Sequence, residues 1–236
     1  MHKAQNPMAI GWRIRDCNAM NDPSSLPNTN RRHERIDPST SRAIRFRGPF
    51  SELYRFICWA YLKLSGWRIM GDWPADPKLV VVAAPHTSNW DGINMLAAAG
   101  YYRVKLRWMG KKELTTGPLG FIVKWFGCVP VERKGNTDIV RQMKDAFDQV
   151  ESMMLAVAPE GTRAKTREWK TGFYHIAHMA NVPLLISVLD YGRKEIRLSG
   201  VLETSGDYEA DFAEIRAHYD GAKGLDEGKF TVSESH

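Results

Sequence analysis

Two segments, LVVVAA at 79–84 and MMLAVA at 153–158, are apolar at every position. A strand with one wet face alternates apolar and polar residues, whereas a strand without polar positions has to be covered on both faces. That requirement shapes the reading of the whole chain. VPVE at 129–132 and LLISVLD at 184–190 also read as strands, and 91–101, 117–126, 137–151, 169–180 and 207–220 read as helices. Strands alternating with helices predict an α/β fold: a mixed, mostly parallel sheet flanked by helices. Residues 50–66 (FSELYRFICWAYLKLSG) predict an amphipathic N-terminal helix. Ser51, Glu52, Arg55, Lys63 and Ser65 share one arc, Phe56, Ile57, Ala60, Tyr61 and Leu64 the opposite one, and Gly66 supplies a stop. This pattern suits a core helix and a helix lying at a lipid interface equally.

At 236 residues with 43% hydrophobic and 25% charged positions, the chain has room for one domain with a real core. Its net charge of +6 is unevenly spread: residues 1–49 hold nine Lys or Arg against four Asp or Glu. Residues 1–48, rich in Asn, Asp, Ser, Pro and Arg, are expected to be a disordered basic leader, and 49–236 the folded domain. The near-neutral folded part argues against a nucleic-acid-binding protein, which would carry its basic residues on the folded surface. Cys17, Cys58 and Cys128 are scattered without CxxC spacing, so a disulfide framework or zinc site is not expected. No apolar run reaches the roughly 18 residues that would span a bilayer.

Four segments carry chemistry. Pro85-His86-Thr87-Ser88-Asn89-Trp90-Asp91 begins where a buried strand ends and a helix begins, the place where open α/β sheets put their sites. Thr87, Ser88 and Asn89 are all suitable N-caps. If the chain turns into a helix there, Asp91 comes within one turn of His86, and a carboxylate against an imidazole fixes its tautomer and raises its basicity. Pro159-Glu160-Gly161-Thr162-Arg163 follows a second buried strand; Gly permits close backbone approach to a ligand, and Arg offers a fork matched to phosphate oxygens. Gly127 through Arg133 (GCVPVER) places another Arg past a short strand, and Gly110-Lys111-Lys112 offers an anion-binding Lys at a helix start. Each segment alone also reads as a local cap, turn or charge pair. His175 and His178 are read as helix-face residues, not metal ligands, and Asp190 and Tyr191 as structural.

Taken in this order, the segments resemble the blocks of the lysophospholipid and 1-acylglycerol-3-phosphate acyltransferase family, in a compact bacterial form: His86 with Asp91, Gly127 with Arg133, and Glu160-Gly161-Thr162-Arg163. The stretches APHTSNWD and WKTGFYHIA share that likeness, which covers roughly residues 55–222. One block departs: Pro183-Leu184-Leu185 runs on into Ile186 and Ser187 where the family usually has a second Pro, which bears on donor preference.

The resemblance implies transfer of a fatty acyl group from acyl-CoA or acyl carrier protein to the free hydroxyl of a lysophospholipid, foremost 1-acyl-glycerol-3-phosphate giving phosphatidic acid. It implies no cofactor and no metal. His86 is implied as general base oriented by Asp91; Lys111, Arg133 and Arg163 as holders of the acceptor phosphate; and Gly127, Glu160, Gly161 and Thr162 as shapers of its site. It further implies peripheral work on the cytoplasmic face of the inner membrane. Another lyso-lipid acceptor, such as lyso-ornithine lipid, fits the same chemistry. From other classes, a nucleic-acid-binding protein meets the charge objection, and a catalytically dead lipid binder is opposed by the intact His86, Asp91, Glu160 and Arg163.

Overall fold

The computed structural model describes residues 14–15, 49–132, 136–166, 168–226 and 228–230. Among these residues the elements run in the order β1 (Ile14–Arg15), α1 (Pro49–Leu64), β2 (Arg68–Met70), β3 (Lys78–Ala84), α2 (Asn89–Tyr101), β4 (Leu106–Lys111), α3 (Lys112–Thr116), α4 (Gly120–Trp125), β5 (Cys128–Val131), α5 (Asn136–Asp148), β6 (Met153–Val157), α6 (Gly172–Ala180), β7 (Leu184–Asp190), β8 (Glu195–Leu202) and α7 (Tyr208–Ala217). The strands form one sheet in the order β1-β8-β7-β3-β6-β4-β5, with β2 also on β8. From β7 to β5 every neighbouring pair is parallel, and β8 closes that side antiparallel to β7. The sheet is therefore mixed and mostly parallel, as the strand pattern requires.

The two apolar segments become β3 and β6, paired in register from Lys78 with Met153 to Val82 with Val157. Their side chains divide by the two-residue period of a strand. Val80, Val82, Ala84 and Leu155 join Met143 and Phe147 of α5, Phe173 and Tyr174 of α6, and Phe212 and Ile215 of α7 on one face. Leu79, Val81 and Met154 join Ala99 of α2 on the other. Each side chain sealed in this way contributes roughly 1.5–3 kcal/mol. Three layers follow directly from strands that have no face to give to water.

Strands β4 and β8 escape an apolar-run criterion for different reasons. β4 (LRWMGK) mixes Arg, Trp, Gly and Lys near the sheet's margin. β8 (EIRLSGVL) alternates: Ile196 and Leu198 are buried while Glu195, Arg197 and Ser199 are partly wet. The single helix expected over 117–126 is instead two short ones. Gly117 is extended because the ring of Pro118 disfavours helical backbone before it, so α4 begins only at Gly120. Helix α6 starts at Gly172 rather than 169, with Trp169 buried against Phe173, Phe212 and Tyr219 ahead of it.

Helix α1 is apolar on more than the arc that the wheel assigns. Cys58 and Leu62 are buried against Ala97 and Ala98 of α2, with Tyr54 and Tyr61 packed alongside, and the nominally polar Ser51 is also buried. Phe50, Leu53, Phe56, Ile57, Trp59 and Leu64 remain exposed, so much of the apolar arc faces outward rather than into the core. The expected leader at 1–48 lies outside the described residues except for Ile14 and Arg15, which pair antiparallel with Leu202 and Val201.

Candidate active site

In this sheet β3 leads through α2 to β4, passing beyond β6, while β6 leads through α6 to β7 on the opposite side of β3. Connections that leave neighbouring strands in opposite directions open a crevice at their carboxyl ends. The segments after those two strands meet there: the His86 backbone N–H donates to Glu160 Oε1 at 2.9 Å. The ends of β4, β5 and β7 lie on the same edge because all five central strands are parallel.

The turn from β3 into α2 is fixed by its own side chains. Ser88 is the N-cap, its Oγ accepting from the Trp90 backbone N–H, and Asp91 completes a capping box by accepting from the Ser88 N–H. The carboxylate is 2% exposed and gathers more donors than a cap needs. Thr87 N–H and Ser88 N–H reach Oδ2 at 2.5 and 2.7 Å, and Ser88 Oγ and Tyr191 OH reach Oδ1 at 2.9 and 2.6 Å. Burial pushes the Asp91 carboxyl up, but the bonds from His86, Tyr191 and Ser88 outweigh it and hold the group below its ordinary range.

His86 Nδ1 lies 3.5 Å from Asp91 Oδ2. Asp91 only accepts, so Nδ1 carries the proton and Nε2 keeps a lone pair. The His86 side chain is 30% exposed, against 2% for Asp91. A buried carboxylate behind a partly open imidazole is the geometry of an oriented general base.

Glu160 sits beneath the pair, 3% exposed. Its Oε1 serves the His86 backbone, while Oε2 is buried without a hydrogen-bond partner. Burial pushes its carboxyl above the ordinary range, against the pull of its backbone bonds. Gly161 has φ +63, and a Cβ there would lie 2.7 Å from Cδ of Lys170, so the loop doubles back under the Lys170 stem. Thr162 spends its hydroxyl locally, accepting from Ala164 N–H at 3.2 Å, and Arg163 is exposed on the same loop. Lys170 is thus a second cation beside this loop, and its only mark in the sequence is its place in WKTGFYHIA.

The remaining residues divide. Lys111 ends β4, exposed, at the start of α3. Gly127 has φ +93, and a Cβ would lie 2.1 Å from the Leu106 carbonyl oxygen; this close approach of β5's entry to β4 accounts for the glycine without a ligand. Arg133 lies outside the described residues. His178 Nδ1 is 3.1 Å from Thr204 Oγ1 and its ring stacks on Tyr174. Tyr191, read from sequence as structural, touches Asp91 directly. Its signal is positional: it is the first residue past a buried strand parallel to β3.

The family model described as Acyltransferase matches residues 72–188, from the approach to β3 through most of β7. Among curated proteins, a probable 1-acyl-sn-glycerol-3-phosphate acyltransferase of Mycoplasma genitalium is 29% identical over 168 residues, which is 66% of this chain and 60% of that protein. The chain thus spans about 60% of the length of the curated relative it matches. Among solved structures, the 1-acyl-sn-glycerophosphate acyltransferase PlsC from Thermotoga maritima aligns over 66% of this chain and 70% of its own, at 14% identity and a TM-score of 0.42.

Proposed function

Since residues 72–188 match the acyltransferase family model, we propose that this chain is an O-acyltransferase that converts 1-acyl-glycerol-3-phosphate to phosphatidic acid. The observation that carries the reading is the pair of His86 and Asp91 at the carboxyl end of β3. His86 Nε2 takes the proton of the acceptor hydroxyl, and the oxygen adds to the thioester carbonyl carbon. The tetrahedral intermediate collapses with the C–S bond breaking, and the proton on His86 passes to the departing thiolate. A C–O ester bond replaces the thioester, and no acyl-enzyme forms. Arg163 and Lys111 hold the acceptor phosphate, with Arg133 the third cation, and acyl-CoA or acyl carrier protein is the donor.

A radiolabelled acyl-CoA assay over a panel of lyso-lipids, including lysophosphatidic acid and lyso-ornithine lipid, tests the assignment. Labelled phosphatidic acid is the expected product, and label in lyso-ornithine lipid alone would overturn the acceptor. In that assay Arg163→Ala is expected to raise the lysophosphatidate KM about 10- to 100-fold while leaving the donor KM near wild type, the effect of losing one charge-assisted contact. Arg163→Lys restores part of it, because an ammonium lacks the bidentate fork. Equal changes in both KM values would remove Arg163 from the acceptor site.

The acceptor resides in a bilayer, yet among the described residues no helix is long and apolar enough to cross one. We place the lipid contact on the outer face of α1, where Phe50, Leu53, Phe56, Ile57, Trp59 and Leu64 are exposed. The site then works from the surface, on the cytoplasmic face of the inner membrane. Replacing Ile57 and Trp59 with Asp is expected to abolish sedimentation with anionic liposomes at all salt concentrations. Neutralising Arg31, Arg32, Arg35, Arg42, Arg45 and Arg47 should weaken it mainly at low salt, since screening acts within about 10 Å at 0.1 M. A folded double Asp variant that still sediments would move the contact elsewhere, for which Leu119, Phe121 and Trp125 around α4 form a second exposed apolar group among the described residues.

A further inference from the structure

The carboxylate of Asp91 is the end of a hydrogen-bonded line that starts on α1. Tyr61 OH donates to Asn94 Oδ1 at 2.9 Å, Asn94 Nδ2 donates to Tyr191 OH at 3.1 Å, and Tyr191 OH donates to Asp91 Oδ1 at 2.6 Å. We propose that Tyr191, oriented by Asn94 and Tyr61, is a positioning residue that acts on His86 through Asp91 by taking up part of the carboxylate's charge, and so makes the seat of α1 part of the setting of the base. The proposal rests on the acyl-transfer reading for its kinetic consequence, although the geometry stands without it.

The direction of the line is forced. Asp91 only accepts, and a tyrosine has one proton, so the Tyr191 proton goes to Asp91 and its oxygen must accept from Asn94. The Asn94 amide therefore turns Nδ2 to Tyr191 and Oδ1 to Tyr61, whose single proton completes the set. Asp91 and Asn94 are three apart on α2 and so share a face, and both are 2% exposed. Little water reaches them to substitute for a missing partner. The Tyr191 ring is itself held, edge-on to Trp67 at 4.8 Å and 83°, with the Lys194 ammonium 5.2 Å from the Trp67 ring centre and 5.9 Å from that of Tyr191. Burial first, and then the Asp91 charge, push the Tyr191 hydroxyl up, so it remains a donor across the working pH range. Tyr61 precedes the segment matched by the family model and Tyr191 follows it, so both ends of the line lie outside that match.

Removing the Tyr191 hydroxyl leaves Thr87 N–H and Ser88 N–H on Oδ2, so Asp91 stays beside His86 but keeps more of its charge for the imidazole. The other ionisable groups around the pair include Glu160 below it, Lys194 against the Tyr191 ring, and Lys223 and Asp226 on the segment packed against Tyr191 and Thr87, and the substitution alters none of them. Tyr191→Phe is therefore expected to move the His86 titration, followed by NMR of labelled imidazole, to higher pH. In the acyl-transfer assay the acid limb of kcat/KM should follow it, with kcat at neutral pH down about tenfold and both KM values within about twofold of wild type. Asn94→Asp offers Tyr191 only acceptors, draws its proton away from Asp91 and should reproduce the same signature. In an Asp91→Asn background, Tyr191→Phe should cost less than twofold more, because the hydroxyl acts through that carboxylate. An unmoved His86 titration in folded Tyr191→Phe overturns the proposal, as does a full tenfold additional loss in the Asp91→Asn background. The NMR arm decides even if the acyl-transfer reading fails, so the two failures are distinguishable.

Discussion

Replacing His86 with alanine is expected to lower turnover by about 10²–10⁴-fold, the usual contribution of a positioned general base, while the chain stays folded. The side chain is partly open to solvent and none of the buried apolar clusters includes it, so its loss creates no core cavity. The local turn does not depend on it either. The bond to Glu160 uses the backbone N–H of residue 86, and the cap of α2 uses Ser88 and Asp91. Circular dichroism and a thermal melt of the variant should therefore overlay wild type closely. A purified, folded variant that keeps more than about a tenth of wild-type turnover would remove His86 from the base role.

Asp91→Asn is expected to bring a comparable loss of activity and, unlike His86→Ala, a loss of stability. The amide presents one N–H₂ group to surroundings arranged as donors. Thr87 and Ser88 point backbone N–H groups at one oxygen, and Ser88 Oγ and Tyr191 OH point hydroxyls at the other. Only the hydroxyls can turn to accept, so the amide nitrogen settles on their side and its carbonyl oxygen faces the backbone. His86 then loses the charge that favours its protonated form, which is the form the proposed reaction requires of it. Losing a charged, fully bonded acceptor costs about 1–3 kcal/mol. The pH dependence has a definite sign. The folded carboxyl titrates below its unfolded value, so its stabilisation is complete above that ordinary value near pH 4 and fades as pH falls through the folded one. Glu160, held above its ordinary value first by burial and in part by the Asp91 charge, contributes with the opposite sign, and less so in the variant, where that charge is gone. The difference in stability between the two proteins should thus be widest at neutral pH and shrink in acid. A gap unchanged by acid, measured by urea titration at each pH, would show that Asp91 does not carry that charge in the fold.

Much of the site was legible because its parts are local. The apolar runs at 79–84 and 153–158 fix two central strands, and the residues that follow a central parallel strand sit at its carboxyl edge whatever else the chain does. The five-residue spacing of His86 and Asp91 is closed by one helical turn and one capping box, so sequence alone brought the imidazole and the carboxylate together. Helix α1 was legible as a helix but not in its orientation. A wheel places residues on arcs and does not say which arc finds a partner, and here Tyr54, Cys58 and Leu62 took the inner side.

Only the tertiary structure decided what met across the sheet. Glu160 lies 74 residues from His86 and Tyr191 lies 100 from Asp91, and both contacts exist because β6 and β7 flank β3 in parallel. Strand order is set by which crossover helix covers which face, a property of the packed core that no local window contains. The alternation of β8 and the polar mixture of β4 likewise mean something only once their neighbours are known, because a residue's burial in a sheet belongs to the strand beside it as much as to itself.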